Sequence, residues 1–144
     1  MAKEHAPDSA LIGRTIAGKF AIESFVGGGA MGAVYKARQI ALEKMVAIKV
    51  MHREIATDEK FVTRFKREAK AASRLDHPNS LRVIDFGEEP DGLLYIAMEF
   101  VDGVDLQRLC RECFPFPEPR VVGIVAQALA LLLIGLLVYI HNAR

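Results

Sequence analysis

Apolar residues at Phe20, Ile22, Phe25, Val26, Val34 and Tyr35 flank a cluster of glycines at positions 27, 28, 29 and 32. That pattern predicts two strands joined by a flexible turn. A third strand is expected over Met45 to Met51, which is rich in Val and Ile. Thr57, Asp58 and Glu59 then supply a helix cap and an acidic first turn. In the helix that follows, Phe61, Phe65, Ala69, Ala72 and Leu75 fall on one stripe, and His77-Pro78-Asn79 ends the period after about four turns. Leu81 to Phe86 and Leu93 to Phe100 read as a hairpin around the turn-forming Glu-Glu-Pro-Asp-Gly of residues 88 to 92. A short helix from Val104 to about Cys113 runs into Phe-Pro-Phe-Pro-Glu-Pro, whose three prolines forbid its continuation. A last helix starts near Arg120, and no internal repeat is visible.

The chain's 144 residues, 51% of them hydrophobic, suffice for one compact core. Nineteen basic residues against eighteen acidic ones give a formal charge of +1, so no global field favours nucleic acid or an anionic surface. The first fifteen residues hold charges and a proline but no apolar run of signal-peptide length, which argues for a cytoplasmic location. Cys110 and Cys113 form an isolated C-x-x-C with no second pair and no histidine at finger spacing. With Leu106 and Leu109 they repeat at helical intervals, so they are read as apolar helix residues rather than as a metal or redox site.

The strongest local motif is Gly27-Gly28-Gly29-Ala30-Met31-Gly32-Ala33-Val34, which fits G-x-G-x-x-G-x-V and can present backbone N–H groups to an anion. A dinucleotide-binding Rossmann unit would need these glycines to open a helix. Here a strand-like Ala-Val-Tyr-Lys follows them. In Val46-Ala47-Ile48-Lys49, strand alternation puts Ala47 and Lys49 on one face and Val46, Ile48 and Val50 on the other. Ala47 can lie flat against a planar base, while Lys49 can reach phosphate oxygens as a compact charge. Glu68 falls within the apolar stripe of the first long helix, where a carboxylate is costly unless it finds a cation. Lys49 is the expected partner.

These motifs, in this order, resemble those of the Hanks-type protein kinases, and their wording is most similar to the bacterial serine/threonine kinases. The resemblance covers about residues 12 to 130. It implies that Gly27, Gly28, Gly29, Ala30, Met31 and Gly32 form the phosphate-covering loop, with Val26 and Val34 against adenine. It also implies that Lys49 binds the α- and β-phosphates of ATP, with Glu68 as its partner on the helix the family calls αC. Met98 matches the gatekeeper, the backbones of Glu99 and Val101 match the adenine-binding hinge, and Asp105 stands where the family places a ribose-binding acid.

Asp85-Phe86-Gly87 spells the family's metal-binding tripeptide, yet it precedes the hinge, has no H-R-D before it and leads into the turn at 88 to 92. Asp85 is therefore read as the end of a strand and not as a magnesium ligand. The catalytic-loop aspartate is not in the sequence either. No aspartate follows Asp105, and the later carboxylates are Glu112 and Glu118. Magnesium is expected for the family, but its ligands are absent here, and these 144 residues are expected to show no turnover alone. Val121 to Ile140 contains twenty residues with no charge and one glutamine. It is either the start of the large lobe, the helix the family calls αE, or a membrane span.

The expected fold is α+β: a kinase small lobe, with a five-stranded antiparallel sheet and one packed helix, followed by two helices of an incomplete large lobe. Its organisation is read as a polar leader (1–15), small lobe (16–101), helix and proline-rich break (102–120), apolar helix (121–140) and tail (141–144). The expected function is ATP binding within a serine/threonine kinase, with a protein substrate only if a complete large lobe is supplied. A non-catalytic kinase-like adaptor, or a nucleotide-binding fragment tethered to a membrane through 121–140, is the alternative.

Overall fold

The computed structural model describes residues 9–142, with side chains from 10 to 133. A short 3-10 turn at Ser9–Leu11 precedes strands β1 (Thr15–Ile16), β2 (Phe20–Gly28), β3 (Gly32–Gln39) and β4 (Lys44–Met51). Helices α1 (Arg53–Ala56) and α2 (Glu59–Ala72) follow, then strands β5 (Val83–Glu88) and β6 (Leu94–Glu99), and helices α3 (Leu106–Cys113) and α4 (Glu118–Asn142). The protein divides into two compact units. Residues through Arg74 together with Arg82–Phe100 make the first, and Leu75–Leu81 with the chain from Val101 make the second.

The first unit is built on one antiparallel sheet in the order β1-β2-β3-β4-β6-β5. The five expected strands are all present, and β1 pairs with β2 to add a sixth at the edge. Alternation along β4 sorts its side chains as the sequence implies. Val46, Ile48 and Val50 join Phe20, Ile22, Tyr35, Ala37, Tyr95 and Ala97 in the main core on one face. On the other face, Met51 packs with Leu94 and Phe65, flanked by Phe61, Val62 and Ile96. Tyr35, Phe20, Ile16, Ile48, Leu94 and Val46 are the largest fully buried side chains. Each stabilises the fold by about 1.5–3 kcal/mol relative to exposure.

Helix α2 forms where its cap predicts. The Asp58 carboxylate accepts from the N–H groups of Lys60 and Phe61 at 2.9 and 3.4 Å. It ends at Ala72, short of the expected Leu75, because Ser73 caps it with its N–H donating to the Ala69 carbonyl and its hydroxyl to Lys70. Outside the helix, Arg14 ties the start of the sheet to the β5–β6 turn, reaching Asp91 at 2.9 Å and Glu89 at 3.4 Å. Arg53 also reaches Asp91, at 3.0 Å.

In the second unit, the Asp105 carboxylate caps α3 by accepting from the Arg108 N–H at 2.7 Å, and α3 carries an Arg108–Glu112 ion pair at 2.8 Å. Cys110 and Cys113 lie on this helix as expected, but both are exposed free thiols rather than buried apolar contacts. Asn79 donates to the Gln127 carbonyl of α4 at 3.3 Å. Val122, Val125, Leu129, Leu132 and Leu133 of α4 are all exposed. Among the described residues no helix is long and apolar enough to cross a membrane. The stretch 121–140 proposed as a span runs past residue 133, so part of it lies outside the described side chains.

Candidate functional site

The antiparallel register brings Val34 opposite Lys49 and Lys49 opposite Ile96, and one step along it brings Lys36 opposite Ala47 and Ala47 opposite Met98. Strand alternation therefore puts Val34, Ala47, Lys49 and Met98 on one face, opposite the main core. Ala47 is buried, while Lys49, Val34 and Met98 are partly exposed. Among the described residues the Lys49 ammonium has no hydrogen-bond or ion-pair partner. A partly buried cation without a partner is poised for an external anion. The neighbouring Lys36 is committed elsewhere, lying 5.0 Å from the centre of the Phe100 ring.

Next to this face the glycine segment closes the β2–β3 hairpin. Gly27 pairs with Val34 and Gly28 with Ala33, and the Gly29 N–H donates to the Gly32 carbonyl at 2.9 Å. The register slips between Phe25 and Gly27, so Val26 occupies a bulge and is 56% exposed. The glycines serve different ends. A Cβ at Gly32 would sit 2.0 Å from the Val50 carbonyl oxygen, so the fold itself demands glycine there. A Cβ at Gly27 or Gly29 would meet nothing within 4 Å. Among the described residues nothing requires those two positions to be bare, and a ligand approaching the backbone closely would. Ala30 and Met31 are exposed at the tip.

One expected element of the site is not assembled. Glu68 is 64% exposed and pairs with Arg64 at 3.7 Å, one turn back along α2, instead of with Lys49. The inward stripe of α2 consists of Phe61, Val62, Phe65 and Ala69. Glu68 lies at its edge, so it carries no burial cost that would drive it toward Lys49. Arg64 also stacks 5.9 Å from the Phe61 ring, which keeps the guanidinium near Glu68.

On the hinge side, the Glu99 N–H donates to the Arg82 carbonyl, and its carboxylate accepts from the Arg82 N–H, both at 3.0 Å. Val101 and Asp105 belong to the second unit, where Val101 is 64% exposed and Asp105 serves as the cap of α3. Asp85 lies within β5 and is engaged on both oxygens. It accepts from Lys19 at 2.9 Å and from the Phe86 N–H at 2.9 Å. The hydrogen bond that Lys19 donates to the Asp85 carboxylate raises the Lys19 pKa. Among the described residues no group of three His, Cys, Asp or Glu side chains could hold a metal. A contact that sequence reasoning did not single out is His52, whose Nε2 lies 3.0 Å from the Gly29 carbonyl oxygen.

Comparison with known proteins places these features in one family. A model described as the protein kinase domain matches residues 20–144. The serine/threonine-protein kinase pkn3 of Myxococcus xanthus is 51% identical over 121 residues, which is 84% of this chain and 22% of that protein. PrkC of Bacillus subtilis is 42% identical over 117 residues, 81% of this chain and 18% of that protein. The crystal structure of the PknI kinase domain of Mycobacterium tuberculosis superposes with a TM-score of 0.71 at 39% identity, covering 81% of this chain and 47% of the other. The chain thus spans about a fifth of the curated kinases and about half of the solved kinase domain. With its sheet order, glycine turn and lysine strand in that register, the chain belongs to the Hanks-type protein kinase family and corresponds to the small lobe and the start of the large lobe of the domain.

Proposed function

We propose that these residues bind ATP as the small-lobe half of a serine/threonine kinase site. The observation that carries the reading is Lys49, a cation without a partner on the same face as Ala47, Val34 and Met98, beside a turn whose Gly27 and Gly29 leave the backbone open. In this reading the adenine lies against Ala47, Val34 and Val26, with Met98 at the back of the base. The open turn covers the phosphates and Lys49 contacts the α- and β-phosphoryl oxygens. Glu99 has its N–H committed to Arg82, so its carbonyl is the group it offers to the base. Glu68 reaches Lys49 only after leaving Arg64, a step that nucleotide charge at Lys49 would accompany.

Transfer of the γ-phosphoryl to a protein, and the magnesium chemistry that goes with it, belong to large-lobe residues that these 144 do not contain. The chain alone binds nucleotide without turning it over, in the cytoplasm where ATP is available. Titration of the full chain with a fluorescent ATP analogue, competed by ATP, tests this. Saturable binding that Lys49→Ala weakens at least about tenfold, with the melting temperature unchanged, is the expected result. Equal binding by the variant would remove the basis of the reading.

A second reading rests on the exposed apolar residues of α4, Val122, Val125, Leu129, Leu132 and Leu133. They suit a helix that packs on another kinase lobe, so that the chain acts as a non-catalytic adaptor. Retention of an intact kinase from the same cell by the wild-type chain, lost on Val125→Glu and Leu129→Glu, is the outcome that favours it.

A further inference from the structure

The glycine turn has little to hold its tip. Within the hairpin one backbone bond closes it, from the Gly29 N–H to the Gly32 carbonyl at 2.9 Å. Glycine backbone loses more freedom on ordering than any other residue, so a turn of this composition is costly to keep in one shape. Beyond the pairing of Gly32 with Met51, His52 reaches the turn through two contacts. The His52 N–H donates to the Met31 carbonyl at 3.2 Å, and the ring Nε2 meets the Gly29 carbonyl oxygen at 3.0 Å. A carbonyl oxygen only accepts, so Nε2 carries the proton in this contact.

His52 follows β4 immediately, three positions beyond Lys49. It is the N-cap residue of α1 but makes no side-chain cap bond there. Gly32 meanwhile pairs with Met51 in the β3–β4 ladder, where an added Cβ would overlap the Val50 carbonyl oxygen. The end of the lysine strand therefore holds the turn at Gly29, Met31 and Gly32, and among the described residues the ring of His52 is the one side chain from that strand end that takes part. We propose that His52 is a positioning residue for the phosphate-binding turn, fixing the Gly29 peptide relative to the strand that carries Lys49. The proposal rests on the ATP-binding reading only for its consequence. The tether is a property of the protein without ligand.

His52 also borders a cavity of about 300 Å³ with Ala33, Tyr35, Val50 and Leu93, so truncation to Ala would enlarge a void as well as remove a donor. The informative pair is His52→Leu, which keeps bulk without a donor, and His52→Gln, whose amide can donate to the same carbonyl. Amide hydrogen exchange on the full ligand-free chain should quicken several-fold at Gly29 to Gly32 in the Leu variant and stay near wild type in the Gln variant. The Tyr35 and Ile48 amides in the core should be unchanged in both. Titration with the ATP analogue should show a roughly 3- to 10-fold loss of affinity for Leu and less than about twofold for Gln. Unchanged exchange at Gly29 to Gly32 in the Leu variant, or equal behaviour of Leu and Gln, overturns the proposal. Absence of nucleotide binding by the wild-type chain would instead overturn the ATP-binding reading, because the exchange comparison is made without nucleotide.

Discussion

Substitution of the glycines one at a time separates what the fold requires from what a ligand requires. At Gly32 an added Cβ would lie 2.0 Å from the Val50 carbonyl oxygen and 2.9 Å from its carbon, and both are backbone atoms of a central strand that cannot swing aside. Relieving the overlap means shifting β3 from β4 where Gly32 pairs with Met51. Overpacking of this kind costs about 1–3 kcal/mol. For a chain of this size that lowers the melting temperature by roughly 4 °C per kcal/mol, so Gly32→Ala should melt about 4–12 °C lower. Gly29→Ala meets nothing within 4 Å and needs no left-handed backbone. Its reduced unfolded-state freedom should leave stability equal or up to about 1 kcal/mol higher, so the melting temperature stays equal or rises by up to roughly 4 °C. In nucleotide titration the order reverses for Gly29→Ala, which should weaken ATP binding severalfold despite its stability, because the new methyl stands where phosphate approaches. The assays are thermal melting by circular dichroism and the fluorescent titration. Equal melting temperatures for Gly32→Ala and Gly29→Ala would refute the steric argument. Full ATP affinity in Gly29→Ala would refute the claim that its bareness serves a ligand.

Two further outcomes are expected. The Arg64–Glu68 pair is an exposed i,i+4 contact worth about 0.3–0.5 kcal/mol. A double-mutant cycle of Lys49→Met and Glu68→Gln on the ligand-free chain, read by urea unfolding, should therefore give a coupling within about 0.5 kcal/mol of zero. A coupling above about 1 kcal/mol would mean that Glu68 already holds Lys49 without nucleotide. The hydrogen bond from Arg14, helped by the nearby charges of Arg14 and Arg53, lowers the Asp91 pKa from its ordinary 3.8 to about 2. The carboxylate's contribution is thus fully present above about pH 4 and lost as the pH falls toward 2. Arg14→Ala should flatten the acid side of the melting-temperature profile in that window, and a profile parallel to wild type would contradict the assignment.

Much of the first unit is legible in the chain because its signals are local. The alternation of Val46, Ile48 and Val50 against Ala47 and Lys49 fixes both faces of β4, and the Asp58 cap fixes the start of α2. The two-residue β1 carries too little pattern to be seen, and it exists because Thr15 and Ile16 find Ala21 and Phe20 across the edge. Glu68 departs from its expected pairing with Lys49 for a physical reason. A helical stripe read from sequence has an uncertain edge, and a residue on that edge obeys its nearest cation, here Arg64, before a distant one. His52 left no trace in the sequence because its partner is the carbonyl of Gly29, a group that every residue carries. Asp85 shows the opposite case, since its motif is explicit but its position within β5, with Lys19 and the Phe86 N–H on its oxygens, is that of a strand residue.

ATP binding on the Lys49 face and under the glycine turn is read out by amide chemical-shift mapping of the isotopically labelled full chain during titration with ATP in the absence of divalent metal. Saturable shifts concentrated at Gly27 to Gly32, Val34, Ala47, Lys49 and Met98 are expected, with Tyr35, Ile48 and Ala97 moving little. Shifts centred on the main-core face, or none at millimolar ATP, would contradict it.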